Sequence, residues 1–208
     1  AKGDLKGAVN SYQQAININP DIPELQFNLG AMLYALSDNK RAIHHYQKAI
    51  ELNPTFTEAF FNLGITYQSQ SKYDLAIKSY EQAVNSEPGF YEAIGNIGTI
   101  KQLQGKLEEA ITLFKKSLTI FEDGRGNYNL AGAYRNLGNL SLSIKHYRRA
   151  VEIGSGEAEF YSDLGDALWH DGNIEEANLF LRKAVEVDSS NPKSNYQLGI
   201  FLYDNKAF

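Results

Sequence analysis

Asp163, Asp166 and His170 fall at i, i+3 and i+7, which sets two carboxylates and an imidazole on one helix face beside Trp169. Oxygen and imidazole donors could hold a metal ion, but three ligands with no fourth and no group to orient them make a poor site. The same acids could form a pocket for a lysine or arginine of a ligand. Arg135, 34 residues before Trp169, could stack on the indole as a cation–π pair. His146 lies too far along the chain from His44 and His45 to share a metal with them, and all three are expected at the surface. Catalytic chemistry finds little support. There is no thiol, no Gly-x-Ser-x-Gly elbow and no phosphate loop, and Gly124-Arg125-Gly126 reads as a turn beside Glu122 and Asp123. Asn139-Leu140-Ser141 matches a glycosylation triplet of a kind frequent by chance.

The bulk composition narrows the partners. Apolar residues make up 43% and charged residues 22%, as expected of a folded chain rather than a disordered one. A net charge of −5 argues against nucleic acid, whose nonspecific binding is driven by counterion release through Lys and Arg. With no cysteine, a disulfide frame and a thiolate metal site are excluded, and no cofactor is expected. No apolar run approaches membrane-spanning length, and the opening Ala-Lys-Gly-Asp-Leu lacks the form of a signal peptide. The expectation is a soluble chain, with the cytoplasm as the expected compartment. It is also expected to be part of a longer protein, because it starts without Met and stops mid-unit at Asn205-Lys206-Ala207-Phe208.

The elements that carry these residues recur. Phe27-Asn28-Leu29-Gly30 returns as Phe61-Asn62-Leu63-Gly64 and then as Gly95-Asn96-Ile97-Gly98, a shift of 34 residues. One unit is a helix, a short turn and a second helix. Full units are read at 23–56, 57–90, 91–123, 124–157 and 158–191, flanked by half-units 1–22 and 192–208, so that 1–208 forms a single array. Gly30, Gly64, Gly98, Gly165 and Gly199 share one helical place, with Ala131 as the variant. A glycine there costs roughly 0.5–1 kcal/mol relative to alanine. The compensation expected is close approach of the partner helix at Ala42, Ala76, Ala110, Ser143 and Ala177. Tyr46, Tyr80, Phe114, Tyr147 and Leu181, four residues later, are expected to line the seam to the next unit. Pro20, Pro54 and Pro88 close the early second helices. Glycine joints at Gly124-Arg125-Gly126 and Gly154-Ser155-Gly156 replace them later, predicting a softer C-terminal half.

This code of small, large and proline positions resembles the tetratricopeptide repeat family over the whole chain. The resemblance implies an all-α fold, a right-handed α-solenoid or superhelix of helix-turn-helix repeats, with first helices lining a concave groove. The pentatricopeptide repeat has a similar period but is built to read RNA and is typically basic, unlike this acidic chain. The sixth position of successive units reads Asn28, Asn62, Asn96, Asn129, Asp163 and Gln197. A carboxamide offers both donors and an acceptor, so such a column can pair with the backbone of an extended chain. It is similar to the asparagine ladder in the repeat domain of O-linked N-acetylglucosamine transferase. Phe27, Tyr34, Phe61, Ile65, Tyr128, Trp169, Tyr196, Ile200 and Tyr203 are unusually apolar for groove positions and suit an interaction surface, about a third of them expected to be buried. Glu24, Glu58, Glu92 and Glu159 at the second position suit either the helix dipole or a ligand. The carboxylate clamp of chaperone-binding members is absent, since its lysine-type places hold Phe27, Phe61, Gly95, Tyr128 and Ser162.

The function expected is a non-catalytic scaffold that binds a peptide segment of a partner protein through Asn28, Asn62, Asn96, Asn129, Asp163, Gln197, Phe27, Phe61, Tyr128, Arg135, Asp166, Trp169 and Tyr196. The alternative is the substrate-recognition arm of a larger enzyme such as a glycosyltransferase. Self-association through uncapped ends is a third expectation.

Overall fold

In the computed structural model, residues 4–154 and 156–205 are described, and they form helices and turns only. Ser155 of the second glycine joint and the last three residues of the chain lie outside them. First helices α2 (Pro23–Ala35), α4 (Thr57–Ser69), α6 (Tyr91–Leu103), α8 (Gly124–Asn136), α10 (Ala158–His170) and α12 (Pro192–Asp204) alternate with second helices. The latter are α1 (Leu5–Ile18), α3 (Asn39–Leu52), α5 (Tyr73–Ser86), α7 (Leu107–Ile120), α9 (Leu140–Ile153) and α11 (Ile174–Val187). No helix among the described residues is long and apolar enough to cross a membrane.

Local chemistry sets the ends. The Asp4, Asp38 and Asn139 side chains accept from amides in the first turns of α1, α3 and α9. Asn19, Asn53 and Glu87, each followed by proline, are extended and stop the second helices before them. Inside the hairpins, Ser37, Ser71, Gly105, Gly138 and Gly172 all adopt positive φ, at φ 57–84°. This left-handed residue lets the Asp38 amide reach back to the Leu33 carbonyl at 2.9 Å, and Asn173 to Leu168 at 2.9 Å, closing the helix C-terminus.

The chain divides into two compact units, residues 1–100 and 101–208. In the first, Ile16, Leu29, Leu33, Ala42, Tyr46 and Leu63 form one core. In the second, one cluster is built on Ala110, Phe114, Leu130 and Tyr134, and another on Ala131, Tyr147, Leu164, Leu168, Leu181 and Phe201.

The partner helix does come close to the repeated glycine, with the Ala42 carbonyl 3.3 Å from where a Cβ on Gly30 would stand and the Leu181 nitrogen 3.0 Å from one on Gly165, but the nearest contact is the large residue rather than the small one. A Cβ on Gly30 would meet the Tyr46 ring at 2.8 Å, on Gly64 the Tyr80 ring at 2.6 Å, and on Gly165 the Leu181 side chain at 2.7 Å. The glycine therefore seats the large residue of its own hairpin, 16 positions on, and that residue is not only a seam to the next unit. The small residues still matter: Ala42, Ala76, Ala110, Ser143 and Ala177 are all fully buried. Gly199 shares the place but has open space around it. Of the joint glycines, Gly124 and Gly154 lie against Phe160, where added Cβ atoms would come within 3.2 and 2.8 Å, while Gly156 has open space around it.

Candidate binding face on the first helices

The first helices set the sixth position at the half-buried margin of each unit. Asn28, Asn62, Asn96 and Asn129 are half-buried. Among the described residues the side chains of Asn28, Asn62 and Asn129 make no hydrogen bond, leaving donors and acceptor free. The Asn96 amide donates to the Tyr80 hydroxyl, which itself donates to Gln68 at 2.7 Å. The last two members are committed internally. Asp163 is buried and accepts from the Tyr128 hydroxyl at 2.5 Å and from Lys193 at 2.7 and 2.9 Å, while Gln197 accepts from Ser162.

The aromatic positions share one construction. Phe27 packs 5.0 Å from Phe56 and 5.9 Å from Tyr46, and Phe61 packs 5.0 Å from Phe90 and 5.6 Å from Tyr80. The residue corresponding to Phe56 and Phe90 is Asp123 in one later unit and Glu157 in the next, so Tyr128 stacks instead on Phe160 from α10, at 4.9 Å. Of the nine apolar groove positions none is fully buried. Tyr196 and Tyr203 on α12 are 68% and 75% exposed, and the other seven are half-buried.

Around Asp163 and Asp166 the geometry departs from the expectation of an open acidic pocket. Arg135 donates to Asp166 and does not stack on Trp169, which meets Phe201 edge-on at 5.5 Å. The His170 Nδ1 binds its own helix at the Asp166 carbonyl, 2.8 Å away, and no convergent metal cluster occurs among the described residues. Asp163, Asp166 and Arg135, but not Trp169 or His170, line a pocket of about 370 Å³ together with Gln102, Tyr128, Asn129, Asn136, Lys193 and Gln197. Burial and the nearby Asp163 push the Tyr147 phenol in its wall up to about 12, so it stays protonated.

Lys193 was missed from the sequence. Its signal was a charge reversal: the second position reads Glu24, Glu58, Glu92, Arg125, Glu159 and Lys193. Arg125 binds Glu157 at 2.7 Å and Glu159 at 3.0 Å while lying over the Phe160 ring at 4.9 Å. Glu159 thus has an ion-pair partner as well as a helix N-terminus.

Two of the three histidines expected at the surface are half-buried. Gln26 Nε2 donates to the Pro20 carbonyl, so its Oε1 accepts from His45 Nδ1 at 2.8 Å. Asn127 Nδ2 likewise donates to the Asp123 carbonyl, and its Oδ1 accepts from His146 Nδ1 at 3.0 Å. Burial, then the charges of His44 and Arg41, lowers the His45 pKa from 6.5 to about 4. Burial lowers His146 too, with Lys145 and Lys115 acting in the same direction. Tyr161 and Phe180 occupy the same pair of places and stack. The amide–imidazole pair is the polar version of an apolar helix-to-helix contact.

Comparison with known families accounts for this recurring plan. Models described as "TPR repeat" match residues 1–37 and 31–71, and models described as "Tetratricopeptide repeat" match 57–90, 91–153 and 128–192. The chain belongs to the tetratricopeptide repeat family. No curated protein sequence matches it. Among solved structures, a chain of the APC/C hetero-tetramer Cut9–Hcn1 superposes with a TM-score of 0.81 at 14% identity, covering 95% of this chain. This chain spans 40% of the length of that one. PilF of Pseudomonas aeruginosa gives 0.80 at 16% identity, with 88% of this chain and 84% of the other covered. YrrB, a TPR protein with an unusual peptide-binding site, gives 0.67 at 20% identity, with 90% and 97% covered. At these identities the likeness establishes a shared tetratricopeptide fold.

Proposed function

We propose that this tetratricopeptide chain is a non-catalytic scaffold whose first helices hold an extended segment of a partner protein. The observation that carries the reading is the free carboxamide at one fixed place of the repeat: Asn28 and Asn62 on two consecutive first helices of one compact unit, and Asn129 at the same place on α8 of the other. Half-buried Phe27, Phe61 and Tyr128, braced by neighbouring rings, supply rigid apolar surface beside them. The peptide-binding site of YrrB supports the same use of the fold. The test is selection of binders from a peptide library, followed by titration of the hits against the Asn28→Ala, Asn62→Ala, Asn129→Ala triple variant. Three lost hydrogen bonds should weaken binding roughly tenfold or more. Unchanged affinity for every hit refutes the carboxamide grip.

A second reading, pairing of copies through α12, rests on exposed Tyr196 and Tyr203. It requires a molar mass that rises with concentration in light scattering and falls back in a Tyr196→Glu, Tyr203→Glu variant.

A further inference from the structure

We infer that the pocket between α8, α10 and α12 takes a carboxylate, an Asp or Glu side chain of the bound segment. The proposal rests on the reading of the first helices as the binding face and names the chemistry of one of its positions. The acids that would attract a cation are already satisfied and covered. The Asp163 side chain is 8% exposed with both oxygens bonded, and the Asp166 side chain is 12% exposed and bound by Arg135. The cations lie outward of them, with 46% of the Lys193 side chain and 33% of Arg135 exposed. A ligand entering the pocket therefore meets positive charge first.

Donor bookkeeping points the same way. Gln197 uses its oxygen for Ser162, which leaves its NH₂ free, and the Asn129 and Gln102 amides make no hydrogen bond among the described residues. Guanidinium carries five N–H donors, and among the described residues Arg135 directs bonds to Asp166 and Tyr147 alone. An incoming acceptor group finds several open donors. An incoming ammonium finds amide and phenol oxygens and the largely covered second oxygen of Asp166, next to two fixed cations.

The test uses blocked single amino acids, so it does not depend on a peptide lying along the groove. N-acetyl-glutamate N-methylamide, its glutamine analogue and its lysine analogue are titrated into the whole chain, following the Arg135 side-chain Nε–H signal and the Asn129 and Gln197 amides by NMR. The glutamate compound should shift these signals saturably, and more weakly as salt is raised. The glutamine and lysine compounds should bind more weakly or not at all. Asp163→Asn, which releases Lys193 from its partner, should tighten glutamate binding roughly two- to fivefold, and Lys193→Gln should weaken it by a similar factor. Thermal melts of both variants identify any loss of fold, and the Asp163→Asn gain cannot come from unfolding. Preference for the lysine compound, or no saturable shift with any of the three, overturns the proposal. Saturable glutamate binding alongside a failed peptide-library test would leave the pocket standing and remove only the extended-segment reading.

Discussion

An added methyl group at Gly64 collides with the fully buried Tyr80 ring, so Gly64→Ala should cost about 1–3 kcal/mol, as urea unfolding beside wild type would measure. Ser71 holds the left-handed place that glycine holds at 105, 138 and 172, and Ser71→Gly should raise stability by up to about 1 kcal/mol in the same assay. The repeated glycine and the helix that approaches it were legible in the sequence, but its nearest contact was not, because a 34-residue period marks which positions are constrained without saying which atoms touch.

At the scale of elements, His45 makes the α2–α3 hairpin pH-sensitive. Its pKa is about 4 in the fold against 6.5 for an unperturbed imidazole, so between these the unfolded chain binds more protons. The stability of the neutral, hydrogen-bonded imidazole is fully present above about pH 6.5 and is lost as pH falls toward 4. Between pH 7 and 5, before most carboxylates titrate, His45→Gln should show a flatter decline in melting temperature than wild type; an identical decline would exclude His45 as its source. The later joints give a second case. Their glycines predicted softness, yet Gly154 lies against the Phe160 ring, and Arg125 bridges to Glu157 and Glu159 over that ring. Gly154→Ala should therefore destabilise by about 1–3 kcal/mol, as measured by urea unfolding. Composition suggested freedom there because Phe160 replaces an aromatic missing from its usual place, a substitution that spacing does not display.

At the scale of the whole molecule, stability in a repeat protein is close to a sum of local and nearest-neighbour terms. The chain resolves into two compact units, and its one tryptophan, Trp169, lies in the second. Circular dichroism should report both units and tryptophan fluorescence the second alone. In urea, Gly64→Ala should therefore shift the circular dichroism transition to lower denaturant while leaving the fluorescence midpoint in place; equal shifts of both probes would indicate a single cooperative transition.

Helix type, hairpin repetition and family membership were written in the sequence, because periodic burial demands apolar and small residues at helical spacing and a repeat displays that demand several times over. The residues of the proposed binding face could be nominated in the same way, from their place in the period. Their chemical state required tertiary structure. Asp163 and Asp166 read as open acids until Lys193, Tyr128 and Arg135 are seen bonded to them, and His45 and His146 read as surface residues until Gln26 and Asn127 are seen across the hairpin. Burial and partner identity depend on contacts between helices about 20 to 35 residues apart, and local spacing carries no record of which polar group fills which gap.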